Sequence, residues 1–124
     1  MRQNFPSGGP YEEVHGYSRV VRHGKQLFVS GTCARDPHID GCDAYEQAMS
    51  ALDVMNDALA AAGSSLADVV RTVIYIVDPA DADLVSQAHR EAFAAVMPAS
   101  TMVVVKQLID PALRVEIQAD AVVT

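Results

Sequence analysis

The most regular hydrophobic pattern lies near the C-terminus, where residues 114–121 read RVEIQADA. In an extended chain this alternation puts aliphatic residues on one face and charged or amide residues on the other, which predicts a strand. An almost wholly aliphatic segment from Pro98 to Val105 precedes it, and a turn at Asp110-Pro111 is predicted to join the two strands. The polar face indicates either a solvated sheet surface or the wall of a pocket, and periodicity leaves both open.

A helix is predicted between Asp43 and Gly63. Asp43 can cap the free N–H groups of the first turn. Glu46 lies three residues after it, which is the spacing of a capping box. Gly63 tolerates the left-handed backbone that often ends a helix. The apolar stripe at helical spacing consists of Ala48, Leu52, Met55 and Leu59.

A strand and a second helix follow. The run from Val69 to Val77 is rich in β-branched residues and stops at Asp78-Pro79. A helix is predicted from about Ala80 to Val96, and Pro98 ends it. Its predicted inner side carries Leu84, Val85, Ala88, Ala92, Phe93 and Val96.

The N-terminal third is predicted to hold an arm and a hairpin. Residues 1–17 are rich in Pro, Gly and polar groups, which indicates an extended surface arm. Ser18 to Val21 and Gln26 to Ser30 read as two short strands around a turn at His23-Gly24. Thr32 to Gly41 reads as a loop that could hold one more short strand.

This order is β-β-α-β-α-β-β and predicts one α/β domain over residues 1–124. Single helices between strands favour a mixed sheet with two helices on one face. The segments Val69–Val77 and Met102–Ile109 are apolar on both predicted faces. Exposing the uncovered face would leave a larger apolar patch than monomers usually tolerate, so an oligomer with sheets packed together is predicted.

Composition and charge narrow the class of function. Half of the 124 residues are hydrophobic, but no run approaches the ~20 apolar residues of a membrane helix. The N-terminus lacks an apolar stretch of signal-peptide length, so a cytoplasmic protein with reduced thiols is expected. With 9 basic and 16 acidic residues the net charge is −7, which argues against a nucleic-acid partner. The basic group Arg19, Arg22, His23 and Lys25 is adequately explained as a hairpin face.

Metal binding is not predicted. The two cysteines, Cys33 and Cys42, do not form a Cys-x-x-Cys motif, and the four histidines share no helix at ligand spacing. Cys33 could act as a nucleophile only if a nearby cation or helix N-terminus lowered its pKa.

Several motifs in chain order resemble the YjgF/Rid (reactive intermediate deaminase) family, also called the endoribonuclease L-PSP family. Their order and spacing are more specific than any single motif, and the match covers about residues 16 to 123. The motifs are Gly16-Tyr17-Ser18, Phe28-Val29-Ser30-Gly31, Glu46-Gln47, the run from Ala62 to Val70, Pro98-Ala99, and Leu108 through Glu116-Ile117.

The resemblance implies a chorismate-mutase-like fold and a barrel-like homotrimer with small-molecule pockets at the subunit interfaces. It also implies hydrolytic deamination of enamines and imines without a metal or organic cofactor. In such proteins an arginine holds the substrate carboxylate, and a glutamate with backbone groups places the water.

Only some of the family's pocket residues are present at the corresponding positions of this sequence. Tyr17 matches the pocket tyrosine, Gly31 the glycine whose backbone approaches the ligand, and Glu116 the water-holding glutamate. Ser100 stands where the family has its clamp arginine. His89 stands where a tyrosine is usual, and a solvated helix face would explain it as well as a pocket contact. Glu116 is therefore the predicted catalytic residue, and the other four are predicted to bind substrate.

The missing arginine changes the predicted reaction. Arginine binds a carboxylate through two charge-assisted hydrogen bonds, whereas serine offers one neutral donor. Arg35 or Arg114 could supply the charge from a neighbouring subunit, or each could form an ordinary ion pair.

The predicted function is hydrolysis of an imine, enamine or related metabolite without the clamp. The alternatives are a non-catalytic metabolite-binding or regulatory trimer and a ribonuclease or translation inhibitor, which the acidic charge disfavours.

Overall fold

The computed structural model describes residues 1–124 and contains a six-stranded mixed sheet with strand order β1-β2-β3-β6-β4-β5. All neighbouring strands are antiparallel except β4 and β5, which are parallel. The strands are β1 Arg2–Phe5, β2 Val20–His23, β3 Gln26–Thr32, β4 Val69–Ile76, β5 Ala99–Val104 and β6 Val115–Val122.

Three α-helices accompany the sheet: α1 Glu12–His15, α2 Ala44–Ala61 and α3 Ala82–Phe93. Single 3-10 turns at Leu66–Asp68 and Pro79–Asp81 lead into β4 and α3. The long helices α2 and α3 pack against each other and cover one face of the sheet, which confirms the predicted mixed α/β class. None of the helices combines the length and hydropathy that a membrane span requires.

Helix α2 follows its sequence prediction closely. All four stripe residues are buried, and the Asp43 side chain accepts a hydrogen bond from the Glu46 backbone N–H at 2.9 Å. Gly63 has a φ of 83°, so it adopts the left-handed conformation expected beyond a helix. The predicted capping box is wrong, because the Glu46 carboxylate contacts the His38 ring and the Cys42 thiol instead.

The core lies between the helices and the aliphatic face of β6. Residues of β6 alternate between buried and half-buried along its length, as the RVEIQADA pattern predicted. Val115, Ile117 and Ala119 are almost fully buried beneath the helices, where they join Leu52 and Phe93. Glu116 and its polar neighbours therefore project from the opposite face of the sheet.

Three sequence predictions about connectivity need correction. The N-terminal arm is not simply extended, because Arg2–Phe5 pairs with β2 and Glu12–His15 is helical. The loop after β3 contains no further strand before α2. Strands β5 and β6 are not a hairpin, because β4 lies between them and pairs with both.

The sheet face that the helices leave uncovered is mixed in character. Phe28 on β3 and Val103 on β5 are 47% and 39% exposed there, on either side of the polar row of β6. Tyr75 on β4 donates a 2.6 Å hydrogen bond to Gln118, and Arg71 lies 4.0 Å from Asp120. This face, called the open face below, thus combines apolar side chains with polar groups that are already paired.

Candidate functional site

A cavity of about 430 Å³ lies between the N-terminal arm, the end of β3 and the start of β6. Its volume is in the usual range for small-molecule sites. The side chains and backbone that carry chemistry there are Tyr17, Arg19, Gly31, Cys33, Arg35 and Glu116. This Glu116 cavity contains three of the five predicted site residues, namely Tyr17, Gly31 and Glu116.

Glu116 lies directly against the backbone of Gly31. A Cβ atom placed on Gly31 would be 2.7 Å from Glu116 Oε2. Any residue other than glycine would therefore displace the carboxylate from its observed position. The β3–β6 register shifts between Val29 and Thr32, and this irregularity brings the Gly31 backbone to the cavity. The close approach explains physically why a glycine is needed opposite the glutamate.

Cys33 does not have the environment of a nucleophile. Its Sγ donates to Glu116 Oε1 at 3.4 Å. Burial, and next the neighbouring Glu116 charge, raise the pKa of the Cys33 thiol far above its ordinary value. Because the thiolate is the nucleophilic form, this environment argues against a catalytic Cys33.

Arg19 is a cavity residue that the sequence interpretation missed. It is almost fully buried, and its Nη1 donates to Gly31 O at 2.5 Å and to Thr32 Oγ1 at 3.1 Å. Its Nη2 donates to the Tyr17 hydroxyl at 3.2 Å. Its partners stand up to 13 residues away, so no local pattern distinguishes it from the exposed arginines of a hairpin.

Glu12 neutralises this buried cation. Its Oε2 lies 3.4 Å from Arg19 Nε and 3.8 Å from Arg35 Nη2. Burial opposes ionisation of Glu12, but hydrogen bonds from Ser7 and the charge of Arg19 outweigh it and lower the pKa of the carboxyl. Helix α1 and the arm before it are thereby fastened to the cavity wall.

The two arginines considered as substitutes for the clamp have different positions. Arg35 lines the Glu116 cavity, with its side chain 35% exposed, and donates to the carbonyl and hydroxyl oxygens of Ser7 at 2.9 and 2.5 Å. Arg114 instead forms two hydrogen bonds to Asp81, at 3.0 and 3.1 Å, and does not line the cavity. Arg114 therefore forms the ordinary ion pair, and Arg35 is the more accessible cation at the cavity.

Ser100 and His89 lie elsewhere in the subunit. His89 Nε2 is 2.8 Å from Thr72 Oγ1, and Thr72 Oγ1 is 2.8 Å from Ser100 Oγ. Thr72 belongs to the helix-covered face of β4, whereas Glu116 is on the open face. His89 is half-buried rather than on a solvated helix face, and one subunit does not bring it or Ser100 into the Glu116 cavity.

The family model described as endoribonuclease L-PSP matches residues 10–123, nearly the whole chain. The chain belongs to this YjgF/Rid family. Its fold agrees with that of a solved Mycobacterium tuberculosis member of the YjgF/YER057c/UK114 family, with a TM-score of 0.92 and 42% sequence identity. That comparison covers 99% of this chain and 100% of the other, and it confirms the expected chorismate-mutase-like architecture.

Two further proteins resemble this chain at lower identity. An uncharacterised Streptomyces coelicolor protein is 35% identical over 117 residues, covering 93% of this chain and 87% of its own. The human 2-iminobutanoate/2-iminopropanoate deaminase is 31% identical over 109 residues, covering 86% of this chain and 79% of the human protein. The relatives of this chain thus include one named for imine deamination and one without a named activity.

Proposed function

We propose that this protein hydrolyses a small imine, enamine or related carbonyl derivative in the Glu116 cavity. The supporting observation is the position of the Glu116 carboxylate, which lies on the cavity wall against the Gly31 backbone. A carboxylate held in this way can accept a proton from a water molecule and direct the water towards a bound electrophilic carbon. The deaminase name of the human relative is consistent with this reaction class.

In the proposed reaction Glu116 takes a proton from water as the water oxygen bonds to the imine carbon. The same carboxylic acid then gives the proton to the nitrogen, which forms a neutral carbinolamine. Glu116 next takes the proton of the carbinolamine hydroxyl and passes it to the nitrogen as the carbon–nitrogen bond breaks, which releases the amine or ammonia and a carbonyl product. Tyr17 would assist as a hydrogen-bond donor. Because its oxygen accepts from Arg19 Nη2, its own O–H hydrogen is available to a substrate atom.

The structure favours a substrate without the carboxylate of amino-acid-derived imines. All N–H groups of the Arg19 guanidinium already donate hydrogen bonds, so none is left for a ligand. Their acceptors are Glu12, Gly31, Thr32 and Tyr17. Arg35 is the more accessible cation, but two of its N–H groups already donate to Ser7, and the nearby Glu12 carboxylate partly neutralises its charge. We propose that Arg19 positions the cavity wall and that substrate selection rests on shape and neutral hydrogen bonds.

A panel of imines generated in the assay tests this function. An amino-acid oxidase generates the carboxylated imines, and an amine oxidase generates the neutral ones. The hydrolysis of each imine is measured by the disappearance of the imine and the release of ammonia. We expect faster hydrolysis of at least one neutral imine, with carboxylated imines about tenfold slower. If no imine is hydrolysed but carbonyl metabolites raise the melting temperature, the protein is the non-catalytic binding module instead.

Replacing Gly31 with Ala should impair turnover without unfolding the protein. The new Cβ would collide with the Glu116 carboxylate, which is the far end of a flexible side chain and can move away. Misplacing a catalytic group by about 1 Å can cost about 100-fold in rate, so we expect a loss of about tenfold to 100-fold. Initial rates and thermal unfolding measure the two effects, and full activity would show that the carboxylate position is unimportant.

We also propose that the open face of the sheet is covered by other subunits of a homotrimer. Phe28 and Val103 are exposed there beside polar pairs, a composition that suits a subunit interface. Light scattering at micromolar concentration should give about three times the 13.3 kDa chain mass, and Phe28→Asp should lower it. A wild-type mass of one chain would refute the trimer.

A further inference from the structure

The Glu116 cavity has an apolar wall that the proposed reaction does not use. It consists of Tyr11 from the N-terminal arm, Ile39 from the loop before α2, and Ile109 and Leu113 from the loop before β6. We call these four residues the apolar wall. Leu113 is almost fully buried, whereas Ile109 is 58% exposed although it is a large aliphatic residue. A ligand that covers Ile109 would therefore remove apolar surface from water.

The two loops that carry most of the apolar wall are held together by one buried side chain. Gln47 on α2 is completely buried, and its Nε2 donates to Ile39 O at 3.2 Å and to Ala112 O at 3.0 Å. Its Oε1 accepts from the Arg114 backbone N–H at 2.8 Å. Both polar atoms of this amide thus fix loop backbone, so Ile39 and Leu113 lie on a preformed surface.

Tyr11 is fixed by the short helix that follows it. Its carbonyl oxygen accepts from the His15 N–H at 2.9 Å, and its ring lies against the His15 ring with centroids 5.8 Å apart. The next residue, Glu12, forms the buried ion pair with Arg19. The Arg19 guanidinium in turn lies 5.3 Å from the centre of the Tyr17 ring. The cavity is therefore lined by two tyrosine rings with fixed positions.

The cavity is larger than a small imine needs. An imine of about three heavy atoms takes up a volume similar to that of about three water molecules, at about 30 Å³ each. The cavity measures about 430 Å³. With such a small ligand the apolar wall would stay in contact with water, whereas a ligand with a large apolar group would displace that water and gain hydrophobic free energy. A substrate that fills the cavity therefore carries a large apolar group next to its imine.

We propose that the substrate is a neutral arylalkyl imine whose aromatic ring packs on the apolar wall while the imine carbon faces Glu116. This substrate class rests on the proposed imine hydrolysis and adds the group that the cavity selects. An aromatic ring suits the site because offset or edge-to-face contacts with Tyr11 and Tyr17 are favourable beyond the burial of area. All residues of the apolar wall belong to one subunit, so the preference does not require a residue of a neighbouring subunit.

Two series of compounds test the substrate class. A flavin-dependent amine oxidase generates imines from 2-phenylethylamine, 2-cyclohexylethylamine and propylamine, and each enzymatic rate is compared with spontaneous hydrolysis. We expect kcat/KM for the phenylethyl imine to exceed that for the propyl imine by about tenfold or more, and that for the cyclohexyl imine by about threefold. The stable amides phenylacetamide, cyclohexylacetamide and propanamide, titrated by calorimetry, should bind in the corresponding order.

Matched substitutions locate the effect within the cavity. Ile109→Thr keeps a β-branched side chain but removes apolar surface, and Tyr11→Leu removes the ring but keeps an apolar side chain. Each should weaken phenylacetamide binding by about threefold to tenfold, and the kinetic loss should appear mainly in KM. Val14→Thr makes a similar change at a 76% exposed residue of α1 outside the cavity and should bind phenylacetamide as the wild type does. Thermal unfolding checks that all three variants are folded.

The two series distinguish a failure of the substrate class from a failure of the proposed reaction. Equal values for the phenyl and propyl compounds in both series would overturn the arylalkyl substrate and leave imine hydrolysis standing. Equal values for the phenyl and cyclohexyl compounds would overturn the aromatic preference, and wild-type affinity in both Ile109→Thr and Tyr11→Leu would overturn the position on the apolar wall. Preferential binding of phenylacetamide without turnover of any imine would support the apolar wall as a ligand site and overturn the proposed hydrolysis.

Discussion

Glu116→Gln should lower the turnover of the best imine substrate by about 100-fold or more, because the amide cannot accept the proton of the attacking water. The amide keeps the size of the carboxylate and can still contact Cys33, so the fold and the cavity should persist. The loss should therefore appear mainly in kcat. Steady-state kinetics with the best imine of the panel, together with thermal unfolding, measures both consequences.

Asp120→Asn is the matched control for this experiment. Asp120 lies on the same strand and the same face as Glu116, but its carboxylate pairs loosely with Arg71 at 4.0 Å and lies outside the cavity. The control should retain wild-type turnover. Equal losses in the two variants would indicate a general effect of charge on the open face, and no loss in Glu116→Gln would remove this residue from the mechanism.

Glu12→Gln should destabilise the protein by about 3 kcal/mol, since removing one partner of a buried ion pair leaves the other charge uncompensated. The Glu12 and Arg19 side chains are only 7% and 6% exposed, so water cannot replace the lost carboxylate. Urea unfolding measures the change in the free energy of unfolding. Glu13→Gln alters the exposed neighbouring glutamate and should leave the stability nearly unchanged.

The effect of Glu12 should depend on pH in a defined direction. Because its folded pKa lies below the ordinary value of 4.5, the ionised form stabilises the protein above that value. This contribution is lost as the pH falls through the lowered folded pKa. The stability difference between wild type and Glu12→Gln should accordingly be full at neutral pH and shrink in acid, and a difference that is constant down to pH 3 would contradict the assigned role.

The sequence predicted those parts of the fold that depend on local periodicity. Helix α2 combines a regular apolar stripe with an N-cap and a C-terminal glycine, so its limits were predictable from neighbouring residues. The position of β6 between β3 and β4 was not, because strand order depends on contacts far apart in the chain. Strand β1 was missed since RQNF is short and polar, and it is extended only by pairing with β2.

The same distinction applies to the candidate site. Tyr17, Gly31 and Glu116 were predicted from the family resemblance, and the structure places all three at one cavity. Arg19 was missed because burial and partners on distant segments, rather than its local sequence, bring it there. Ser100 and His89 were predicted for the pocket by their family positions, but within one subunit they join Thr72 on the other face of the sheet.

The most direct test of the proposed site is a crystal structure of the protein soaked with the carbonyl product of the imine that it hydrolyses fastest. We predict that the product lies in the Glu116 cavity, with its oxygen at a hydrogen-bonding distance of about 3 Å from the Tyr17 hydroxyl or from a water on Glu116. A product bound away from Glu116, with this cavity filled only by solvent, would contradict the assignment of the Glu116 cavity as the functional site.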